Sequence, residues 1–78
     1  MPTPEIIDRV RDLHGKLNGD ADPVKQDVAK ELELVLIEPT QAMRYARLSD
    51  KLLALEAKHP KLSSAIDELV GMLNAAGL

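Results

Sequence analysis

The amino-acid sequence predicts an all-α fold: a small helical bundle of three to four helices, with a bend or break at His59-Pro60. Three observations predict it. The apolar residues are thirteen Leu, nine Ala, five Val, four Ile, three Met and one Tyr, a set rich in helix formers and poor in the β-branched and aromatic residues that favour strands. Apolar residues recur every three or four positions along most of the chain, the period of a helix face. A capping residue precedes proline at Thr3-Pro4 and at Asp22-Pro23, the order in which helices start.

The first helix opens at TPE, where Thr3 caps the free amides, Pro4 occupies the first turn without losing a bond, and Glu5 complements the dipole. Its face is Ile6, Val10, Leu13 and Leu17, widened by Ile7 and His14. Gly15 and Asn18-Gly19 end it between about residues 15 and 18. NGDADP is a loop, and the second helix starts behind Asp22 with Val24, Val28, Leu32 and Val35 on one face. Its end reads LELVLI, apolar on nearly every side, and such a helix needs cover on more than one side.

Glu38-Pro39-Thr40 breaks the chain, with Thr40 a good cap for a third helix from about Gln41 to Lys58. Its seam is Tyr45, Leu48, Leu52 and Leu55, and it continues in phase through His59, Leu62, Ile66, Leu69, Leu73 and Ala76, a heptad alternation more than four repeats long. Pro60 interrupts that run. A proline inside a helix costs roughly 3 kcal/mol, and the residue before it is biased away from helix. His59 therefore suits an N-cap, Pro60 the first position of a fourth helix, and both halves present their seam to one shared core. Gly77 suits the left-handed position after the last helix, with Leu78 folding back as its apolar contact.

The stretch LEAKHPKLSSAIDELVGMLNAAGL resembles the C-terminal half of a family of short bacterial proteins catalogued as domain of unknown function 4404. Glu56, Ala57, His59, Pro60 and Leu62 match its Glu-Ala-x-His-Pro-x-Leu core, and Gly77-Leu78 matches its terminal Gly-aliphatic pair. Leu55 stands where the family pattern has an aromatic, and Leu78 where it more often has Ile. The resemblance implies a helical fold and brings no activity with it.

Seventy-eight residues make one domain, 1-78, in the size range where a single core supplies only a few kcal/mol of net stability. Help from a partner is expected. The absence of cysteine excludes a disulfide framework, thiolate metal sites and Cys catalysis. A net charge of −3 spread over both signs gives no attraction to polyanions. No run of 18 apolar residues exists, and MPTPEIIDRVRD lacks the basic-then-apolar order of a signal peptide. The expectation is a cytoplasmic protein with no membrane association.

Several patterns carry possible chemistry. Glu56-x-x-His59 has the spacing of a di-iron half-site, but His59 falls outside regular helix, and capping or packing explains it. Asn18, Asp20 and Asp22 alternate as in a calcium loop, but Pro23 and Ala29 stand where that loop needs glycine and glutamate; turn and cap chemistry accounts for them. Ser49, Ser63, Ser64 and Thr40 lie in helical or cap contexts with no glycine-rich elbow, so no enzyme, cofactor or metal is expected. Gly71, with Ala75 one turn on, would let another helix approach closely or is simply tolerated near a helix end.

Arg44, Arg47, Lys51 and Lys58 form a basic stripe on the third helix, with Lys61 beyond. Asp27, Glu31, Glu33 and Glu38 offer it an acidic counter-surface. No aromatic stands ready to stack a base. The reading is a protein-protein interaction or adaptor module acting as a homodimer, with an unidentified protein partner possible; the interface falls on Leu34, Leu36 and Ile37, then on Leu52 and Leu55. The alternative is a weak nucleic-acid-associated protein that grips phosphates with the basic stripe.

Overall fold

The computed structural model describes residues 3–78, and among these the chain forms helices α1 (Pro4–Leu17), α2 (Pro23–Ile37), α3 (Ala42–Lys58) and α4 (Ser63–Ala75), with a 3₁₀ turn, Pro60–Leu62, leading into α4. Met1 and Pro2 of the MPTPEIIDRVRD stretch lie outside the described residues. Each helix packs on its neighbour in sequence, and α4 closes back on α1. The four make a ring around one core. No backbone approach links the diagonal pairs α1–α3 or α2–α4.

The caps act locally. Thr3 Oγ1 accepts from the Ile6 N–H at 3.3 Å, and Asp22 Oδ1 accepts from the Val24 and Lys25 N–H groups at 2.8 and 3.2 Å, satisfying amides that have no partner inside the helix. Helix α1 leaves through a type II turn: Asn18 sits at φ −63°, ψ 129°, Gly19 at φ +83°, and the Asp20 N–H reaches the Leu17 carbonyl at 3.2 Å. The last helix ends in a Schellman motif. Gly77 has φ +77°, its N–H donates to the Asn74 carbonyl at 3.1 Å, and the Leu78 N–H donates to the Leu73 carbonyl at 2.9 Å. Leu78 packs back on the core as the motif requires.

Two boundaries differ from expectation. The α3 cap is Gln41, not Thr40, and its side chain makes no capping bond. Thr40 is spent in the Glu38-Pro39-Thr40-Gln41 turn, closed by the Gln41 N–H on the Glu38 carbonyl at 3.2 Å. Pro60 opens a 3₁₀ turn rather than the α-helix itself. His59 breaks the helix at φ −131°, ψ 74°, and the Leu62 N–H donates to its carbonyl at 2.9 Å. Three residues of 3₁₀ separate His59 from α4, so the seam keeps its phase while the chain changes direction.

The core takes one stripe from each helix: Ile6, Val10, Leu13 and Leu17; Val28, Ala29, Leu32 and Val35; Tyr45, Leu48, Leu52 and Leu55; Ile66, Leu69 and Leu73. Burying each large aliphatic side chain contributes about 1.5–3 kcal/mol before the entropy of ordering the chain is counted. The single aromatic, Tyr45, is fully enclosed, and its hydroxyl donates to the Pro39 carbonyl at 2.5 Å, which ties the α2–α3 corner to the core.

Candidate interaction surfaces

Three surfaces hold the residues singled out in the sequence. The first is the end of α2. In LELVLI, Leu32 and Val35 are buried, Leu36 is half-buried against the core, Leu34 is half-buried, and Ile37 remains 66% exposed. The need for cover on several sides is thus largely met within the chain, because α1, α3 and the α2–α3 corner surround the α2 C-terminus. Leu52 and Leu55 are 0% exposed. As core residues they are unavailable to a partner while the fold is intact, which removes them from the expected interface.

The second surface is the basic stripe. Arg44 reaches Glu38 at 2.8 Å and Lys51 reaches Asp27 at 2.6 Å, so two of its four cations are paired with α2 carboxylates, the counter-surface the sequence offered. The Asp27 hydrogen bond and charge hold the Lys51 ammonium above its usual value. Glu31, beside Lys51, has one carboxylate oxygen out of solvent with no hydrogen-bond donor. Arg47 and Lys58 are exposed and make no ion pair among the described residues.

The third is the outward side of α3, which sequence reasoning missed. Ala42, Met43, Ala46, Asp50, Leu53, Ala54 and Ala57 are all exposed, Met43 by 72% and Leu53 by 53%. The outward positions of the other helices are mostly polar: Asp8, Arg11 and Asp12 on α1, Gln26, Lys30 and Glu33 on α2, Asp67 and Glu68 on α4, with Ile37, Gly71 and Ala75 among the exposed apolar exceptions. The signal was present as a second apolar periodicity, overshadowed by the stronger inner seam on the same helix.

The remaining polar constellations join elements to one another. His59 Nε2 lies 3.1 Å from Asp22 Oδ2, linking the α3–α4 junction to the cap of α2. The backbone N–H of the same Asp22 donates to Asp20 Oδ1 at 2.9 Å, and Asp20 meets Lys25 at 3.2 Å. Backbone N–H groups, from Lys25 first, hold the Asp22 carboxyl below its usual value, and the Asp22 N–H with the Lys25 ammonium does the same for Asp20. His59 therefore braces two connections, and it is its backbone, not its ring, that caps Pro60–Leu62.

Glu56 engages Asp67 on α4 instead of acting with His59. The hydrogen bond from one carboxyl to the other, then burial and like charge, raises the Glu56 pKa. No group of three or more metal-ligating side chains occurs among the described residues, and no helix there is long and apolar enough to cross a membrane. A Cβ built at Gly71 would meet nothing within 4 Å, so no helix of this fold uses that glycine for close approach. The groove between α1 and α4, lined by Glu5, Asp8, Arg9, Asp12, Glu68 and Met72, is bridged by Arg9 and Glu68 at 2.7 Å. It contains neither a histidine nor a hydroxyl nucleophile.

Compared with known proteins, the chain matches no family model, no curated protein and no solved structure.

Proposed function

We propose that the chain is a cytoplasmic helical protein-protein interaction or adaptor module that acts as a homodimer. One observation carries the reading: with a core already filled by all four helices, Met43 and Leu53 still project from a regular helix at 72% and 53% exposure, on a face whose neighbours are alanines. Exposed apolar surface gathered on one helix face is how interaction sites are built, whereas isolated exposed apolar residues are ordinary. The cysteine-free composition supports the compartment. The resemblance to the domain of unknown function 4404 family, carried by Glu56, Ala57, His59, Pro60, Leu62, Gly77 and Leu78, fits a helical module and adds no chemistry.

Nucleic-acid binding is the weaker reading, because a phosphate would have to displace Glu38 from Arg44 and Asp27 from Lys51. Sedimentation equilibrium from micromolar to millimolar concentration tests the dimer: the mass is expected to rise with concentration toward twice the 8.5 kDa of the chain. A concentration-independent 8.5 kDa species overturns it.

A further inference from the structure

We propose that two copies of this chain associate by antiparallel packing of α3 on α3, with Arg47 of each copy paired to Asp50 of the other. The proposal rests on the homodimer reading and assigns its surface.

Helix α3 carries two seams. The inner one, Tyr45, Leu48, Leu52 and Leu55, is fully buried. The outer one, Met43, Ala46, Asp50, Leu53 and Ala57, repeats the same three-four alternation and is exposed at every position. At 3.6 residues per turn these five positions fall within an arc of roughly 80° on the side away from the core. A three-four alternation of apolar positions on a solvent-facing side is the pattern that packs one helix against another. The alanines let two backbones approach closely, while Met43 and Leu53 supply the large side chains.

The charges select the occupant. Asp50 is the one ionised residue in the seam, and Arg47 borders it one turn earlier; neither makes an ion pair among the described residues. Parallel pairing of two copies would set Asp50 against Asp50. An antiparallel register that places Met43 opposite Leu53, and Ala46 opposite Asp50, sets each Arg47 one position from the Asp50 of the second copy. The face is self-complementary about a two-fold axis, as an isologous dimer requires, and both unpaired charges are satisfied twice over. A 17-residue helix is about 25 Å long, so this contact covers less than the roughly 800 Å² per partner of a standard interface, and the association belongs in the weak, reversible class.

The test uses charge exchange on the full chain, at positions that are exposed and outside the core. Arg47→Asp and Asp50→Arg each create like-charge contacts across the two-fold axis and are expected to weaken self-association about tenfold or more, with helical circular dichroism unchanged. Mixing the two variants in equal amounts restores opposite charges at both contacts, so sedimentation should recover the wild-type mass and native mass spectrometry should find the mixed dimer. A wild-type dimer that neither substitution weakens, or a mixture no tighter than the single variants, overturns the α3 assignment and leaves the dimer standing. A wild-type chain that stays monomeric removes the dimer itself.

Discussion

Tyr45→Phe removes one oxygen from the core and leaves the ring in place, which isolates the hydrogen bond that ties α3 to the α2–α3 corner. Tyr45 is 0% exposed and its hydroxyl donates to the Pro39 carbonyl at 2.5 Å. A neutral hydrogen bond contributes a net of about 0.5–1.5 kcal/mol. Pro39 is only half-buried, so water can approach the carbonyl that the substitution leaves without its donor, and the expected cost is about 1 kcal/mol. For a domain of this size that is a Tm lower by about 4–8 °C. Tyr45→Ala, by contrast, also empties a core site and should cost about 3–5 kcal/mol, by analogy with other large aromatic truncations.

The same residue supplies a second readout. Because the chain has one aromatic, tyrosinate absorbance during alkaline titration reports this phenol alone, and burial raises its pKa above the ordinary 10.0. With the folded value raised, the stabilising preference for the neutral phenol is complete below the unfolded pKa and is lost as pH rises through the folded one. Thermal melts of wild type and Tyr45→Phe should therefore differ at neutral pH and converge at alkaline pH. A Tyr45→Phe protein as stable as wild type at neutral pH, or a phenol titrating at its ordinary value, would refute the account of the corner.

Two contrasts test the rest of the fold. Leu52→Ala should destabilise by about 2–5 kcal/mol in denaturant titration, whereas Leu53→Ala, one residue along and half exposed, should stay within about 0.5 kcal/mol for the monomer; equal effects would mean that the two sides of α3 are misassigned. Asp67→Asn removes the carboxyl that raises the Glu56 pKa, first by its hydrogen bond and then by its like charge. A raised carboxyl makes the wild type less stable as pH climbs through it, so the variant should melt higher than wild type at neutral pH and lose that advantage below the unfolded glutamate value; a variant that melts lower at neutral pH would overturn the assignment.

What the sequence determined by itself is everything that acts within a turn or two. Thr3, Asp22, the Asn18-Gly19 turn and Gly77-Leu78 stop and start helices through bonds spanning two to five residues, so their chemistry is written in adjacent letters. The break at His59 was legible for the same reason, since proline acts on its immediate predecessor. The inner seam was legible because periodicity shows which residues share a face.

Tertiary structure alone decided what each face meets. Asp22 and His59 are 37 positions apart, and nothing in either local stretch points to the other. Leu36 and Ile37 are adjacent in an all-apolar segment, yet one packs on the core and the other stands in solvent, because only the position of α1 and α3 around α2 distinguishes them. Lys51 finds Asp27 across 24 residues, while Arg47 on the same stripe makes no ion pair among the described residues, since the helical period sets it farther around α3 than Arg44 and Lys51. Thr40 could cap a helix by its chemistry but is consumed by the turn that carries the chain round the corner. Periodicity marks the stronger apolar side of α3 as the core seam but does not say what becomes of the weaker one; the closure of the four-helix ring decides that, leaving Met43 and Leu53 outside.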